Sequence, residues 1–431
     1  MTAIRSAGEV ARPAYAGLRG VVPWVLFALA LAVAPLLFRS GTALTMLSIM
    51  GLSIVFALSY NMLLGQTGLL SFGHAVYYGL GGFIAIHAMN AVVRNKWAVP
   101  LPAIPLAGGL AGLFFAVVFG SVSTRRAGTV FSMISLGLGE LVASSALILR
   151  SFFGGEEGVT GNRSRLAPFL GYKFGPQIEV YYLIAVWCFV CVLAMYALTR
   201  TPFGRMCNAV RENPERAQFV GYSPYVVRFL AFCFSGFFAG VAGGLAALNF
   251  EIMNTQSIGA AQSGLVLLMT FIGGVGAFAG PIIGAVLIAY LQITLSDVTG
   301  AWMLYFGLLF ILVVMYSPGG IAGWLVLHGP LLRGGQLGRL APAYALAALP
   351  LAVLLLGAVA LIELAHHALV VAQSDGDAMR LFGVATSSAS PLAWGFAVLC
   401  FAAGALGLRA VWPKVQDAWG AALAGLAARP A

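Results

Sequence analysis

Residues 229–249 read FLAFCFSGFFAGVAGGLAALN, twenty-one consecutive residues with no charged side chain. A helix needs about twenty mainly apolar residues to cross the hydrocarbon core of a bilayer, and this stretch meets that length on its own. It also places Gly236, Gly240 and Gly244 at i, i+4 and i+8, on one helix face. Small residues at that spacing let two helix backbones approach closely inside a membrane. The rest of the chain has the same character. Of its 431 residues, 61% are hydrophobic and 8% charged, whereas a soluble domain carries roughly 25% charged residues. A water-facing surface cannot be built from so few charges. The 54 glycines belong with helix packing rather than disorder, because membrane helices are richer in glycine than soluble ones.

Outward from that stretch, the same length rule marks spans near 22–38, 43–64, 75–90, 101–123, 128–149, 180–199, 263–280, 281–297, 303–317, 343–363 and 391–409. The expected fold is all-α, a polytopic transmembrane bundle of about 10–12 spans with glycine-broken helices. Glycine interrupts the pattern most at 65–90 and 264–297. With the N-terminal segment 1–21 set inside, the inner loops hold fifteen Lys and Arg and the outer ones eight. That bias predicts cytoplasmic termini and accounts for the net charge of +10 without nucleic acid. Residues 1–20 are polar and basic, and the apolar run after them lacks a small-residue cleavage site, so no secretory signal peptide is expected. The five cysteines suggest no disulfide framework. Cys188 and Cys191 form a C-x-x-C within an apolar run, without the second pair or histidine that zinc would require.

The richest inner loop, 200–228, contains RMCNAVRENPERAQFVG at 205–221. Asn213 suits an N-cap, Pro214 the first helical position, and Glu215 the positive end of the helix dipole, while Gly221 is placed as a C-cap. A short surface helix follows, apolar on part of one face through Ala217 and Val220. On these features alone it is either an amphipathic connector or an element offered to a partner's groove.

Glu215 to Gly221 resembles the E-A-A-x-x-x-G loop of ABC importer permeases, with Arg216 in place of the first Ala. Arg211-Glu212-Asn213 before it resembles the permease subunits of the branched-chain amino acid ABC importer family, the LivM type in particular. Asn61 to Gly68 with Leu70 to Ala75 is similar to that family's N-L-x-x-G-x-x-G-x-x-S-x-G-H-A signature. Ser135 to Glu140 resembles its L-x-x-x-E helix. Gly273 to Gly276 with Gly280 to Gly284, and Ser317 to Ile321, are similar to its later motifs. The likeness covers roughly 40–325, giving a permease domain at 22–325 with a coupling loop at 200–228.

The resemblance implies a bacterial inner-membrane subunit working with a second homologous permease, two ABC ATPases and a periplasmic solute-binding protein. The binding protein would meet outer loops such as 150–179. Arg211, Glu212, Asn213, Glu215, Ala217 and Gly221 would couple to the ATPases. ATP and Mg would be held by those partner chains, with no cofactor on this one. The chain departs from the family after Trp324: segment 326–431 adds about two further apolar stretches and has no functional reading.

Polar residues inside a membrane are costly and face a cavity, a partner or a pathway. Asn61, Ser71, His74 and Glu140 are the candidates for the transport path. Glu140 is either a carboxyl hydrogen-bonded between helices or a pathway residue. His74 either lines a cavity at a broken segment or is a satisfied interhelical histidine. Gly276, Gly280 and Gly284 form a second expected packing stripe. The G-x-G-x-x-A at 274–279 lacks the strand and soluble βαβ unit a dinucleotide site needs. The chain has no G-x-x-x-x-G-K-[ST], no Ser-His-Asp set and no paired catalytic carboxylates, and no metal site is expected, since His87, His366 and His367 have no ligand-spaced partners. The function that the resemblance implies is ATP-driven import of branched-chain amino acids or related small polar solutes such as urea or amides. The alternatives are a stand-alone carrier driven by protons through Glu140 and His74, and a membrane-embedded enzyme or assembly factor.

Overall fold

The computed structural model describes residues 21–427 apart from 170, 318, 334 and 336. The N-terminal segment 1–20, with Arg5, Arg12 and Arg19, lies outside the described residues, as do Pro318 of the 317–321 motif and Arg429. The chain folds as two compact units that meet in sequence at Val266 and Leu267.

In the first unit, α1 (Val22–Leu37), α2 (Gly41–Thr67) and α3 (Ala75–Asn95) are followed by α4 (Ile104–Ser123), α5 (Thr129–Ile148) and the short α6 (Arg150–Phe153). Then come β1 (Val159–Thr160), α7 (Gln177–Arg200), α8 (Pro202–Glu212), α9 (Pro214–Phe219), α10 (Pro224–Phe250) and β2 (Ile252–Met253). Helix α11 (Ala260–Gly273) carries the chain into the second unit. There follow α12 (Gly280–Val298), α13 (Trp302–Tyr316), α14 (Gly320–Arg333), α15 (Leu337–His366), α16 (Ala372–Asp375), β3 (Ala378–Leu381), β4 (Val384–Ser387) and α17 (Pro391–Ala427).

The apolar stretches expected to span are helical, except that the one at 263–280 leaves helical geometry after Gly273. Among the described residues, nine helices are long and apolar enough to cross a membrane, or ten if α13 and α14, bent by 45°, count as one span. The difference from the expected number has a length cause. Helix α1 has only 16 residues and α11 only 14, or about 24 and 21 Å at 1.5 Å per residue, short of the bilayer core.

Helix α10 is the hub of the first unit, buried along most of its length. Its glycine stripe acts as the sequence suggests. A Cβ on Gly240 would lie 2.2 Å from the Gly108 carbonyl oxygen, and one on Gly236 would lie 2.4 Å from the Ala116 Cβ, both on α4. Gly244 faces Pro105 in the same way. The second stripe is not a stripe. Gly280 and Gly284 are in α12, but Gly276 lies in the turn 274–279 before it, with open space around it. Gly274, at φ +111°, has already left helical geometry, so the i, i+4 spacing is interrupted.

In the second unit α15 and α17 pack antiparallel: Gly357 meets Phe401, Gly404 meets Leu354 and Gly407 meets Pro350. The β3–β4 hairpin joins them, pairing Ala378 with Ser387 and Leu381 with Val384. This extension is fastened to the residues before it. Glu363 of α15 accepts hydrogen bonds from Tyr305 Oη (2.8 Å) and Thr299 Oγ1 (3.1 Å). At its other end Tyr344 Oη lies 2.9 Å from His328 Nε2 and accepts a hydrogen bond from Trp419 Nε1 at 2.9 Å.

Candidate functional site

The loop 200–228 forms a helical hairpin. Thr201 caps α8, with Pro202 at its first position. Asn213 is extended (φ −153°), and its Oδ1 accepts from Arg216 N at 2.9 Å, so α9 starts where the Asn-Pro pair predicts. It ends at Gly221, φ +95°, whose N–H donates to Gln218 O. The preceding helix α8 is not among the expected elements, although Thr201-Pro202 is a start signal of the same kind.

The two faces of α9 differ. Ala217 is buried among Cys207, Val210, Val227 and Ala231, which fixes α9 against α8. Burial also pushes the Cys207 thiol up to about 12. Val220, expected on the same apolar face, instead points outward at 70% exposure, and Phe219 is 90% exposed. Glu212, Asn213, Glu215 and Arg216 are exposed too. Glu212, Asn213, Arg216, Val220 and Tyr222 line a hollow of about 200 Å³ between the two helices. Arg211, exposed like them, also reaches inward: its guanidinium Nη1 donates to the backbone carbonyl of Gly65, on α2.

That carbonyl belongs to the last turn of α2, where the signature 61–75 begins. Gly68 closes the helix in left-handed geometry, and the next six residues are non-helical until α3 starts at Ala75. Their polar groups are held from several sides. Tyr60 Oη donates to Ser71 O at 3.0 Å, and Ser132 Oγ of α5 donates to Leu70 O at 2.7 Å. Ser135 Oγ accepts from Phe72 N at 3.1 Å, and Ser263 Oγ accepts from Ala75 N at 3.0 Å. A Cβ on Gly73 would lie 2.1 Å from the Ser135 carbonyl, so only glycine lets this segment touch α5.

Of the four pathway candidates, Asn61, Ser71 and His74 are buried and Glu140 is not. His74 is fully buried, stacked on Phe56 with centroids 5.5 Å apart and set edge-on to Tyr60. Its Nε2 lies 3.0 Å from Ser59 Oγ, which supports the interhelical reading over the cavity-lining one. Asn61 and Ser71 are buried as well. Among the described residues, Asn61 Oδ1, Ser71 Oγ and His74 Nδ1 have no hydrogen-bond partner. Glu140 is exposed on the far side of α5, along an outward line with Met133, Gly137 and Ser144. Ser135 and Gly139, one helix face away, are buried, and Gly139 lies near Gly73. A proton path from Glu140 to His74 therefore has α5 in between.

At the other end of the first unit the loop 150–179 is locked to α10. β1 pairs with β2, Val159 opposite Met253. The buried Arg163 guanidinium donates to Leu248 O (2.8 Å), Asn249 O (3.2 Å) and Phe174 O (3.0 Å), while its backbone N donates to Glu251 Oε1 (2.8 Å). A cation at a helix C-terminus satisfies carbonyls left without intrahelical donors. Among the described residues, no group of three or more His, Cys, Asp or Glu is placed to hold a metal ion.

These features define a multi-pass helical membrane protein with a rigid, partly apolar projection on one side and a glycine-broken segment within. The family model for the permease component of branched-chain amino acid transport systems matches residues 42–316. The chain belongs to that family. It is 27% identical over 289 residues to the high-affinity branched-chain amino acid transport system permease protein LivM of Salmonella typhimurium, covering 62% of this chain and 67% of the relative. The LivM protein of Escherichia coli K12 is also 27% identical, over 68% of this chain and 73% of its own length. The corresponding LivH protein of E. coli K12 is 26% identical over 62% and 90%. No solved structure matches the chain. The matched region ends at Tyr316, so α14 to α17 lie beyond it.

Proposed function

We propose that this chain is one of two permease subunits of an ATP-driven importer in the bacterial inner membrane, carrying branched-chain amino acids or related small polar solutes. The observation that carries the reading is α9: a short helix, capped by Asn213 and anchored by Ala217, that offers Phe219 and Val220 to solvent. Exposed aromatic and aliphatic side chains on a rigid, charge-flanked projection suit a cleft on a partner. In this reading loop 200–228 is cytoplasmic and the partner is an ABC ATPase, two of which hold ATP and Mg. The likeness to both LivM and LivH supports a second, homologous permease. Loop 150–179 would receive the periplasmic solute-binding protein, and its lock by Arg163 keeps that surface firm.

The exposed face of α5 lines the path shared with the second permease. A carboxylate in the middle of a span is too costly to face lipid. Glu140 is available there to the ammonium end of an amino acid. Both termini are cytoplasmic in this arrangement. Substituting Glu215→Lys or Gly221→Asp tests the coupling role: ATPase chains should no longer co-purify with the inserted permease. Unchanged association in both variants would count against it.

A further inference from the structure

We infer that Arg211 is a positioning residue that carries movement of the 200–228 loop into the membrane, by fastening α8 to the end of α2 from which the broken segment 68–74 departs. The inference rests on the importer reading above. Its ground is an accounting of the last carbonyls of α2. The carbonyl of Leu64 is taken by Gly68 N and that of Leu63 by Leu69 N. The carbonyl of Gly65, in the same final turn, is taken by the Arg211 guanidinium. Carbonyls at a helix C-terminus lack intrahelical donors, and a cation there also meets the negative end of the helix dipole.

The contact extends beyond one hydrogen bond. A Cβ placed on Gly68, at φ +71°, would lie 3.1 Å from the Arg211 Cγ, so the aliphatic stem lies against the residue that ends the helix. From Gly68 the chain passes directly to Leu70, Phe72 and Gly73, each of which touches α5 through Ser132 or Ser135. Five residues beyond Ser135, on the opposite face of the same helix, stands Glu140. Helix α9 is bound to α8 through Ala217 packed on Cys207 and Val210. Force on α9 therefore reaches α8, then Arg211, then the helix end, then segment 68–74 and α5, through a packing contact or a hydrogen bond at each step. Glu212, Glu215 and Phe219 remain on the outer side for a partner. Arg211 thus differs from Glu212, Glu215 and Arg216: its guanidinium is bonded to the end of α2.

The test uses the complex that co-purifies with the tagged chain, reconstituted in liposomes, with ATP hydrolysis and solute uptake measured on the same sample. In Arg211→Ala, ATPase chains stay bound and hydrolysis continues, while solute taken up per ATP falls about tenfold, within the usual range of coupling between sites. Arg211→Lys, which keeps a donor able to reach Gly65 O, recovers much of that ratio, a result that loss of fold would not give. Gly68→Ala, which leaves Arg211 present but crowds its stem, lowers the ratio in the same way. Wild-type uptake per ATP in Arg211→Ala or in Gly68→Ala overturns the inference. Loss of the ATPase chains from Arg211→Ala overturns it as well, because Arg211 is then a docking residue. Absence of ATPases from the wild-type complex instead removes the importer reading on which the inference rests.

Discussion

Single side chains carry the polar chemistry of this membrane protein, and their surroundings separate their roles. Glu140 is exposed on α5, and among the described residues no hydrogen bond or ion pair reaches it; His74 is sealed between Phe56, Tyr60 and Ser59. Glu140→Leu is expected to abolish uptake while leaving the chain's thermal midpoint in detergent within a few degrees, since no intramolecular bond is lost; a large drop in the midpoint with uptake retained would make Glu140 structural. Arg163 is the converse case. Replacing it with Met leaves the carbonyls of Leu248, Asn249 and Phe174 without their donor. The expected cost is about 1–3 kcal/mol for each buried group left unpaired, read as a lowered unfolding midpoint and faster protease cleavage between 154 and 175.

Among the elements, those read correctly from sequence were specified by near neighbours in the chain. Asn213-Pro214 and Gly221 bracket α9 because capping is decided within a few residues. The stripe on α10 was legible because its three glycines lie inside one uninterrupted helix. That on 276–284 was misread because spacing alone does not reveal that Gly274 ends the preceding helix before Gly276. The outward face of Glu140 was also illegible, since α5 is apolar around most of its circumference and gives periodicity nothing to distinguish. The contact of Arg211 with Gly65 joins residues 146 positions apart. No local pattern encodes it, and the family resemblance sets Arg211 among the ATPase-coupling residues with its neighbours. Helix contact yields a test at this scale. Gly240→Val drives a side chain into the Gly108 carbonyl, and overpacking costs about 1–3 kcal/mol or more. The α4–α10 pair should separate, with a lower melting midpoint by circular dichroism. An unchanged midpoint would mean the two helices do not depend on that contact.

Across the whole molecule, the family match ends before α14, yet the extension is packed into the second unit rather than appended to it. Glu363 binds Thr299 and Tyr305, and the His328–Tyr344–Trp419 cluster joins α14, α15 and α17. Glu363 could have been noticed in the sequence as an acid closing the apolar run 343–363, but its partners could not. Glu363→Leu is expected to loosen the extension, exposing the 299–305 connection to proteolysis before the rest of the chain; equal protection in the variant and the wild type would show that packing of α15 on α17 suffices.

Whether this chain imports solute as part of an ATP-driven complex is decided by uptake of labelled leucine into liposomes holding the co-purified complex, with solute-binding protein outside and ATP inside. Accumulation that requires internal ATP and persists when the proton gradient is collapsed is the expected result. Accumulation driven by a proton gradient without ATP or partner chains would contradict it, and would make this chain a carrier in its own right.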